Sequence, residues 1–594
     1  MRVFSVPPVY TAAPGVPPPS PAAAQQTVFS PFSQDAFSLA RSRHVPVFLF
    51  IGDDPQMFAD PALSLHLVSR TVPVHLRPGE REDVELLCQR AGTLFSGEGA
   101  LPLCALLTAD ALPFLAAPLP PEGFALDPAR LQVWLSQADR RFVQNTPACS
   151  AQAAQVIRSF RSDPHAKPYS PQDAAHDLRR ALLAIEDKKS GGFGGVKSPF
   201  VCALRFAQHA GCAGDKALGS AFSRAMDAML SSSLYDPLDG GFFRSTLTDD
   251  WRVFIPEKTL GVNAMLTLCL LADGRRSEAI HTLDLLVDRF TLQGGGLSPA
   301  ICAPKETYAF SSRQACAALG SENGLRACRL LSLLRQYTQE EPSVLPSRFS
   351  PVDHVSQRTQ WQNEEAPGRY PVLPHPLAPE DAAFLRRVTP TLLRARAART
   401  PQLPRPYVIT AHCALAAAVL ALCGRKLSQP RYIQAAQRAV TFLISQPPIG
   451  SGPAQLLASA YPASPLYMQT VCTANAALAL ALLTLGQSED MQEYAQSGLR
   501  LLGAIVHAFV REDGLVMQTP KDPAAFFPRV PAIYDSEIPS AAALLVRCLK
   551  AADRIQGQAQ DSNVISAIWQ AAAPAVRAQP LACAGLIDAM NNAD

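Results

Sequence analysis

Side chains suited to proton transfer and ligand binding concentrate between positions 239 and 263, with a second group near position 535. Glu257 follows a proline, which favours the first turn of a helix, where the helix dipole stabilises a carboxylate. Arg244 is a permanent bidentate donor, and Trp251 has a flat apolar face on which a sugar ring can stack. Two carboxylates in one cleft suffice for acid and base catalysis at a sugar carbon. We therefore take Glu257 and Asp535 as candidate catalytic residues.

Other polar residues complete the candidate ligand site: Asp239, Arg244, Trp251, Lys258, Asn263, His412 and Glu537. Gly240 and Gly241 permit positive φ and close backbone approach, so we assign them structural roles. A lone histidine on an alanine-rich helix, as His412 is, is more typical of a core position than of a base. The alternative for the whole set is structural, with the glycines as turns, Glu257 as a helix cap and Asp239–Arg244 as an ion pair.

The spacing of cysteines and histidines excludes the common local metal and redox motifs. The chain has 14 cysteines without any C-x-x-C, and none of its 11 histidines pairs at i, i+2 or i, i+4. Thiol–disulfide exchange needs an attacking thiolate and a resolving partner. We therefore expect no metal, no cofactor and no thiol oxidoreductase activity. Cysteines within apolar helical patterns indicate buried thiols in a reducing compartment, which favours a cytoplasmic protein.

Charge and hydropathy exclude several partners. The net charge of the 594 residues is +3, without the clustered basic residues that nucleic acid binding requires. We find no run of about 18 apolar residues free of charge and proline breaks, so we expect no membrane span. Residues 1–28 are proline-rich and lack the continuous apolar segment of a signal peptide, which predicts a disordered leader.

Residues 29–145 alternate helical patterns with apolar runs typical of buried strands. The predicted strands are Pro46–Ile51, Thr71–Leu76 and Leu103–Thr108. This alternation predicts an α/β domain, joined by a linker at 146–170 to the rest of the chain.

Between residues 171 and 594, helical patterns follow one another with almost no strand signal. Many of the fourteen segments are rich in alanine and leucine, the strongest helix formers, which predicts an array of antiparallel helix hairpins. Six hairpins closed in a ring would use twelve helices. A solenoid of helical repeats is the alternative, although no fixed-period consensus is present. Proline-rich insertions interrupt the array at 339–378 and 447–466.

Three groups of segments carry a family resemblance: PVFLFIG (46–52) with the segments at 58–76 and 100–114, GGFGGVKSPF (191–200) with LYDPLDGGFFRSTLTDDWRVFIPEKTLGVNA (234–264), and YDSEIPSAAALLV (534–546). Together they resemble the spermatogenesis-associated protein 20-like family, or DUF255 thioredoxin-domain proteins. The resemblance implies an α/β thioredoxin-like domain followed by an all-α (α/α)6 toroid of the six-hairpin glycosidase type. In such a toroid, loops at one end converge on one funnel, where the candidate residues would meet.

The chain departs from this family at the redox loop and in the pocket. DDPQM (53–57) stands where the family carries C-x-x-C, while Pro102 matches the position of the cis-proline in thioredoxin folds. Segment 298–310 has one acid in place of an acidic run, and His412-Cys413 replaces a Trp-Asn pair. The resemblance therefore implies a redox-inactive domain and an altered pocket.

Two functions from different classes follow. The first is a divergent carbohydrate-active or carbohydrate-binding protein, an isomerase, epimerase or glycoside hydrolase, with a small saccharide in the toroid mouth. It requires that Asp239, Arg244, Trp251 and Glu257 line an open space. The second is a pseudoenzyme, a non-catalytic scaffold with a protein partner, for which the proline-rich segments would be docking arms.

Overall fold

The computed structural model describes residues 29–97, 99–120, 126–160, 168–333, 369–373, 377–449, 456–462, 469–522, 525–557 and 561–592. The expectations placed on residues 1–28, on most of 339–378 and on parts of 447–466 lie outside these described residues.

Five strands near the N-terminus form one mixed sheet in the order β1-β3-β2-β4-β5: β1 (Ser30–Pro31), β2 (Val47–Ile51), β3 (Val72–Leu76), β4 (Leu103–Leu107) and β5 (Pro113–Pro118). Strand β3 runs parallel to both β1 and β2, whereas β4 is antiparallel to β2 and to β5. All five residues of central strand β2 are buried, as expected when both faces of a sheet are covered. The three predicted strands are confirmed to within one residue.

Five helices flank this sheet: α1 (Gln34–Arg43), α2 (Pro61–Arg70), α3 (Glu82–Ser96), α4 (Pro128–Gln144) and α5 (Thr146–Arg158). Asp-Pro pairs begin α2 and α4, where the Asp60 and Asp127 carboxylates accept backbone N–H groups of the first turn. Residues 146–158, which the sequence assigned to a linker, instead form α5 and pack against β5, because Cys149, Ala153 and Val156 give this helix an apolar face.

Six helices of the described chain form a closed inner ring: α7 (Val201–Cys212), α9 (Leu260–Ala272), α15 (Thr410–Leu427), α17 (Cys472–Leu485), α19 (Ala541–Gln556) and α21 (Ala584–Asn591). Each contacts the next, and α21 contacts α7. Six outer helices cover them: α6 (Pro171–Ala184), α8 (Lys216–Leu230), α10 (Arg276–Arg289), α16 (Pro430–Ile444), α18 (Gln492–Phe509) and α20 (Ser562–Ala578). The first of these, α6, packs against the last inner helix. The two ends of the array therefore meet, which excludes the open solenoid.

Inner helices α9, α15 and α17 are apolar around most of their circumference because ring neighbours and outer helices enclose them. Helix α15 is long and apolar enough to cross a membrane by length and composition, yet 78% of it is buried inside the protein. Its composition matches its place in the core. The remaining helices pack together outside the ring: α11 (Lys305–Tyr308), α12 (Ser312–Leu319), α13 (Ser321–Leu330) and α14 (Pro379–Arg399).

Short strands precede or follow the inner helices at one end of the ring. Three form a small sheet in the order β6 (Glu257–Thr259), β7 (Ala300–Cys302) and β8 (Leu403–Pro404). Two more pair with each other, β9 (Val408–Ile409) and β10 (Ala460–Tyr461). Because β6 and β9 lead directly into α9 and α15, these strands mark the ring end that carries Glu257.

A repeated side-chain clamp fixes the loops at this end. Asn263, the fourth residue of α9, accepts the Phe242 N–H at 2.6 Å and donates to the carbonyls of Phe242 and Thr259. Asn475, the fourth residue of α17, makes the same kind of contact with the backbone of Leu457. In α15 the fourth residue is Cys413, whose sulfur accepts the N–H of Leu297 at 3.4 Å. Asn263, expected to bind a ligand, is therefore occupied in holding a loop.

We predict that Asn263→Ala lowers the free energy of unfolding by about 2–4 kcal/mol, because buried backbone groups lose their partners. Cys413→Ala should cost only about 1 kcal/mol, since a thiol is a weak acceptor. Thermal and urea unfolding of the two variants measures the difference. Equal losses of unfolding free energy in the two variants would contradict the role of Asn263 in holding the loop.

Candidate functional site

The N-terminal domain docks onto the ring end that carries the short strands. Tyr407 donates a hydrogen bond to Asp53 Oδ1 at 2.8 Å, and Arg405 Nη2 lies 3.3 Å from Asp53 Oδ2. The Arg77 guanidinium lies 4.7 Å from the centre of the Tyr407 ring, and Ser459 donates to the Glu80 carbonyl. Asp53 belongs to the loop that follows β2. The ring therefore covers this end of the sheet.

Arg244 lies at the centre of this junction. Its Nη1 is 3.2 Å from Glu257 Oε2, and its Nε is 3.8 Å from Glu537 Oε1. Its Nη2 donates to the Leu101 carbonyl of the N-terminal domain at 3.3 Å. The peptide bond between Leu101 and Pro102 is cis, as the resemblance implies. One guanidinium thus connects two ring segments with the N-terminal domain.

Burial raises the pKa of three carboxyl groups at this junction. The pKa of Glu257 is raised, although the Arg244 charge opposes the shift. Burial raises the pKa of Glu85 to about 7, and its Oε2 accepts the Gly79 N–H at 3.0 Å. Burial also raises the pKa of Glu82 to about 8, against hydrogen bonds from Thr473 and Gln518. These groups hold their protons closer to neutral pH than ordinary carboxyls do.

Solvent still reaches this cluster. The side chains of Glu257, Arg244 and Glu537 keep 10%, 17% and 33% of their full exposure, although protein surrounds them. We name this partly solvent-exposed cluster the junction crevice; its residues are Asp53, Glu82, Glu85, Arg244, Glu257 and Glu537. The thiol of Cys302 donates to Glu257 Oε1 at 3.6 Å, which orients that carboxyl toward Arg244.

Trp251 and Asp239, which the sequence placed with Arg244 and Glu257, lie elsewhere, so these four residues do not line one open space as the carbohydrate hypothesis requires. Trp251 is 2% exposed, and its indole N–H donates to the Ser190 carbonyl at 3.0 Å, so no ring face is available to a ligand. Its φ of 63° turns the indole into the core. Asp239 lies 3.9 Å from Arg289, so the alternative Asp239–Arg244 ion pair is not formed either.

Lys258 and the two glycines have structural roles. Lys258 Nζ donates to Asp236 Oδ2 at 2.9 Å and to the Gly240 carbonyl at 2.7 Å, deep in the core. Gly240 and Gly241 have φ values of 77° and 74°, and a Cβ on Gly241 would lie 2.3 Å from a Leu285 methyl carbon. A side chain is excluded at this turn both by conformation and by space.

Asp535 does not pair with Glu257. Its carboxylate accepts the N–H groups of Ser540 at 2.9 Å and of Gly585 at 2.6 Å, and burial raises its pKa to about 6. It therefore joins the start of α19 to that of α21. The carboxylate that approaches Arg244 from this segment is Glu537, two residues later.

His412 lies at the start of α15 as a neutral base. Burial lowers its pKa to about 4, and its Nδ1 has no hydrogen-bond partner. This atom lies 3.5 Å from the position of a Cβ on Gly261, at the beginning of α9.

The N-terminal contributions to the crevice were missed from the sequence. Asp53, Glu82 and Glu85 come from the N-terminal domain, more than 150 positions before Arg244. The only local signal is the acidic first turn of α3, which the helix dipole explains by itself. Cys88 and Cys104 are buried on α3 and β4, and burial raises the pKa of both thiols.

Two cavities lie away from the crevice. One of about 390 Å³ opens between the 294 loop and α16, lined by Gly294, Gln434, Gln437, Arg438 and Thr441. The other, of about 10 Å³, lies beside the buried Asp236–Arg396 ion pair and is large enough for one water molecule.

Comparisons with known proteins give distant similarities. No family profile matches the chain. An uncharacterized protein of Caenorhabditis elegans is 22% identical over 255 residues, which cover 39% of this chain and 34% of that protein. The match thus spans about a third of the relative's length.

Several similar solved structures are named as sugar epimerases or isomerases. They include the cellobiose 2-epimerase of Spirochaeta thermophila, at 13% identity and a TM-score of 0.39, covering 67% of this chain and 84% of that one. A D-mannose isomerase is 10% identical at a TM-score of 0.42, covering 68% and 88%. The cellobiose 2-epimerase of Bacillus thermoamylovorans is 8% identical at 0.37, covering 67% and 86%. The contacts between helices within this chain show that the ring is closed, independently of these similar structures.

The raised pKa of Glu82 predicts a pH-dependent stability. The folded chain keeps this proton up to about pH 8, whereas the unfolded chain releases it near pH 4.5. The stabilisation is therefore complete below about pH 4.5 and is lost as the pH rises to about 8. Thermal unfolding should show Glu82→Gln losing less stability than the wild type between pH 5 and pH 8.5.

The matched control is Glu493→Gln, on the exposed first turn of α18, which should follow the wild-type curve throughout. A Glu82→Gln curve that stays parallel to the wild-type curve over the whole range would contradict the assignment.

Proposed function

We propose that the chain is a divergent carbohydrate-active or carbohydrate-binding protein whose ligand site is the junction crevice. The observation that carries the proposal is the position of Arg244 between Glu257 and Glu537 in a space that solvent reaches. Hydroxyl-rich ligands are recognised by such charged donors and acceptors, which form stronger hydrogen bonds than neutral groups do.

The two glutamates suit proton transfer at a sugar carbon. Burial raises the pKa of Glu257, which would act as the acid, while the more exposed Glu537 would accept a proton. Arg244, between them, would stabilise negative charge that develops on a sugar oxygen. Isomerisation, epimerisation and hydrolysis all use this apparatus, and Glu537 takes the role that the sequence gave to Asp535.

We propose a thioredoxin-like fold without redox activity for the N-terminal domain. The strand order β1-β3-β2-β4-β5, with two parallel and two antiparallel pairings, supports the fold. The absence of C-x-x-C from the sequence and the burial of Cys88 and Cys104 support the loss of thiol chemistry. Free buried cysteines favour a cytoplasmic location.

One observation favours the scaffold as a second candidate. Arg244 also donates to the Leu101 carbonyl, so the same side chain serves docking between the domains. In a scaffold, the cluster would hold the two domains together and bind no sugar.

The test is calorimetric titration of the purified full chain with a panel of mono- and disaccharides. We expect saturable binding to at least one sugar, weakened about tenfold or more by Glu257→Gln and by Glu537→Gln, which corresponds to about 1.4 kcal/mol. Arg438→Ala, at the cavity outside the ring, is the control and should bind as the wild type does.

Thermal unfolding of each variant separates lost binding from lost folding. No binding by any sugar, or binding that neither glutamine variant changes, would contradict the proposal. If in addition both variants lower the unfolding temperature, the scaffold is supported.

A further inference from the structure

We infer that the junction crevice is built for a ligand that carries a protonated amine beside its hydroxyl groups, as an amino sugar or an amino polyol does. The inference rests on the proposed function, because it names the chemical class of the ligand of that same site. It starts from the way charges are distributed across the crevice.

Carboxyl groups outnumber the cations described around the crevice. Its arginine, Arg244, is shared between Glu257 and Glu537, while Arg405 pairs with Asp53 from the edge of the crevice. The acids Asp53, Glu82, Glu85, Glu257 and Glu537 thus face two guanidinium groups.

The surplus lies on the side of the N-terminal domain. Glu85 accepts a backbone N–H from Gly79, and Glu82 interacts with the neutral side chains of Thr473 and Gln518. The neighbouring Asp83 is paired with Arg81, at 2.7 Å, and adds no cation to the crevice. Burial raises the pKa of Glu85 to about 7 and that of Glu82 to about 8, so a ligand cation would take the place of their protons near neutral pH.

A second, independent feature points to a ligand with hydroxyl groups. Thr259 is 5% exposed, and its hydroxyl has no hydrogen-bond partner. It lies two residues after Glu257 on β6, so both side chains project from the same face of that strand. A buried hydroxyl without a partner costs free energy unless a bound group satisfies it.

A compact metal ion does not fit these residues. Among the described residues, no group of three or more histidine, cysteine, aspartate or glutamate side chains converges closely enough to hold one. The carboxyls are spread along the crevice on both domains. An extended molecule with the amine at one end and hydroxyls along its length would contact acids of both domains.

The test compares two matched pairs of probes: 1-amino-1-deoxysorbitol with sorbitol, and glucosamine with glucose. Titration calorimetry of the full chain at pH 7, in two buffers of different ionisation enthalpy, measures both affinity and protons released. We expect each amine to bind at least tenfold more tightly than its neutral partner and to release close to one proton. The affinity of aminodeoxysorbitol, whose primary amine stays protonated, should rise up to about tenfold from pH 6 to pH 7.

Glu85→Gln should reduce the ratio of amine to neutral affinity at least tenfold, while Glu493→Gln leaves it unchanged. If Glu85→Gln does not fold, the proton release measured with the wild type remains as the test. Release of close to one proton supports the amine inference, and no release contradicts it. Equal affinities without proton release would overturn the amine inference and leave the carbohydrate proposal standing. If none of the four probes and no sugar of the panel binds, the amine inference and the carbohydrate proposal are both overturned.

Discussion

One guanidinium group joins two ring segments to the N-terminal domain. Arg244 belongs to a ring loop, and its side chain contacts Glu257 before α9, Glu537 before α19 and the Leu101 carbonyl of the N-terminal sheet. A half-buried charge of this kind is stable only where acids and carbonyls surround it. Its backbone N–H also donates to the Glu257 carbonyl at 2.8 Å, so the loop and the strand are fixed together. Loss of this side chain would leave two glutamates facing each other with less compensation.

The loop that follows β2 takes part in the docking of the two domains. Between β2 and α2 the chain has no C-x-x-C, and Asp53 in this loop instead contacts Arg405 and Tyr407 of the ring. The first turn of α3 adds Glu82 and Glu85 to the same surface. The N-terminal domain thereby acts as one wall of the crevice. Together the two domains form a polar site that neither forms alone. Its acids come from both domains, and its central arginine comes from the ring.

Local elements could be predicted from the sequence, whereas the meeting of distant side chains could not. The apolar run at 46–51 requires a buried strand, and alanine-rich segments require core helices, so both are local properties. The approach of Arg244 to Glu257 also follows from a short separation. The prediction that Trp251 lines the site is wrong because a positive φ turns its side chain into the core. The periodicity of the sequence does not reveal the value of a single backbone dihedral angle. Glu85 could not be found, since its nearness to Arg244 depends on how two separate domains dock.

Hydrogen–deuterium exchange tests the central claim, that Arg244 contributes to holding the N-terminal domain on the ring. In the wild type, residues 77–85 and 403–409 should exchange slowly, because each segment covers the other. Arg244→Leu should accelerate both segments together by about tenfold or more, while inner helix α17 stays protected. Exchange of 77–85 at the rate of an exposed loop in the wild type, or acceleration of one segment alone in the variant, would contradict the account.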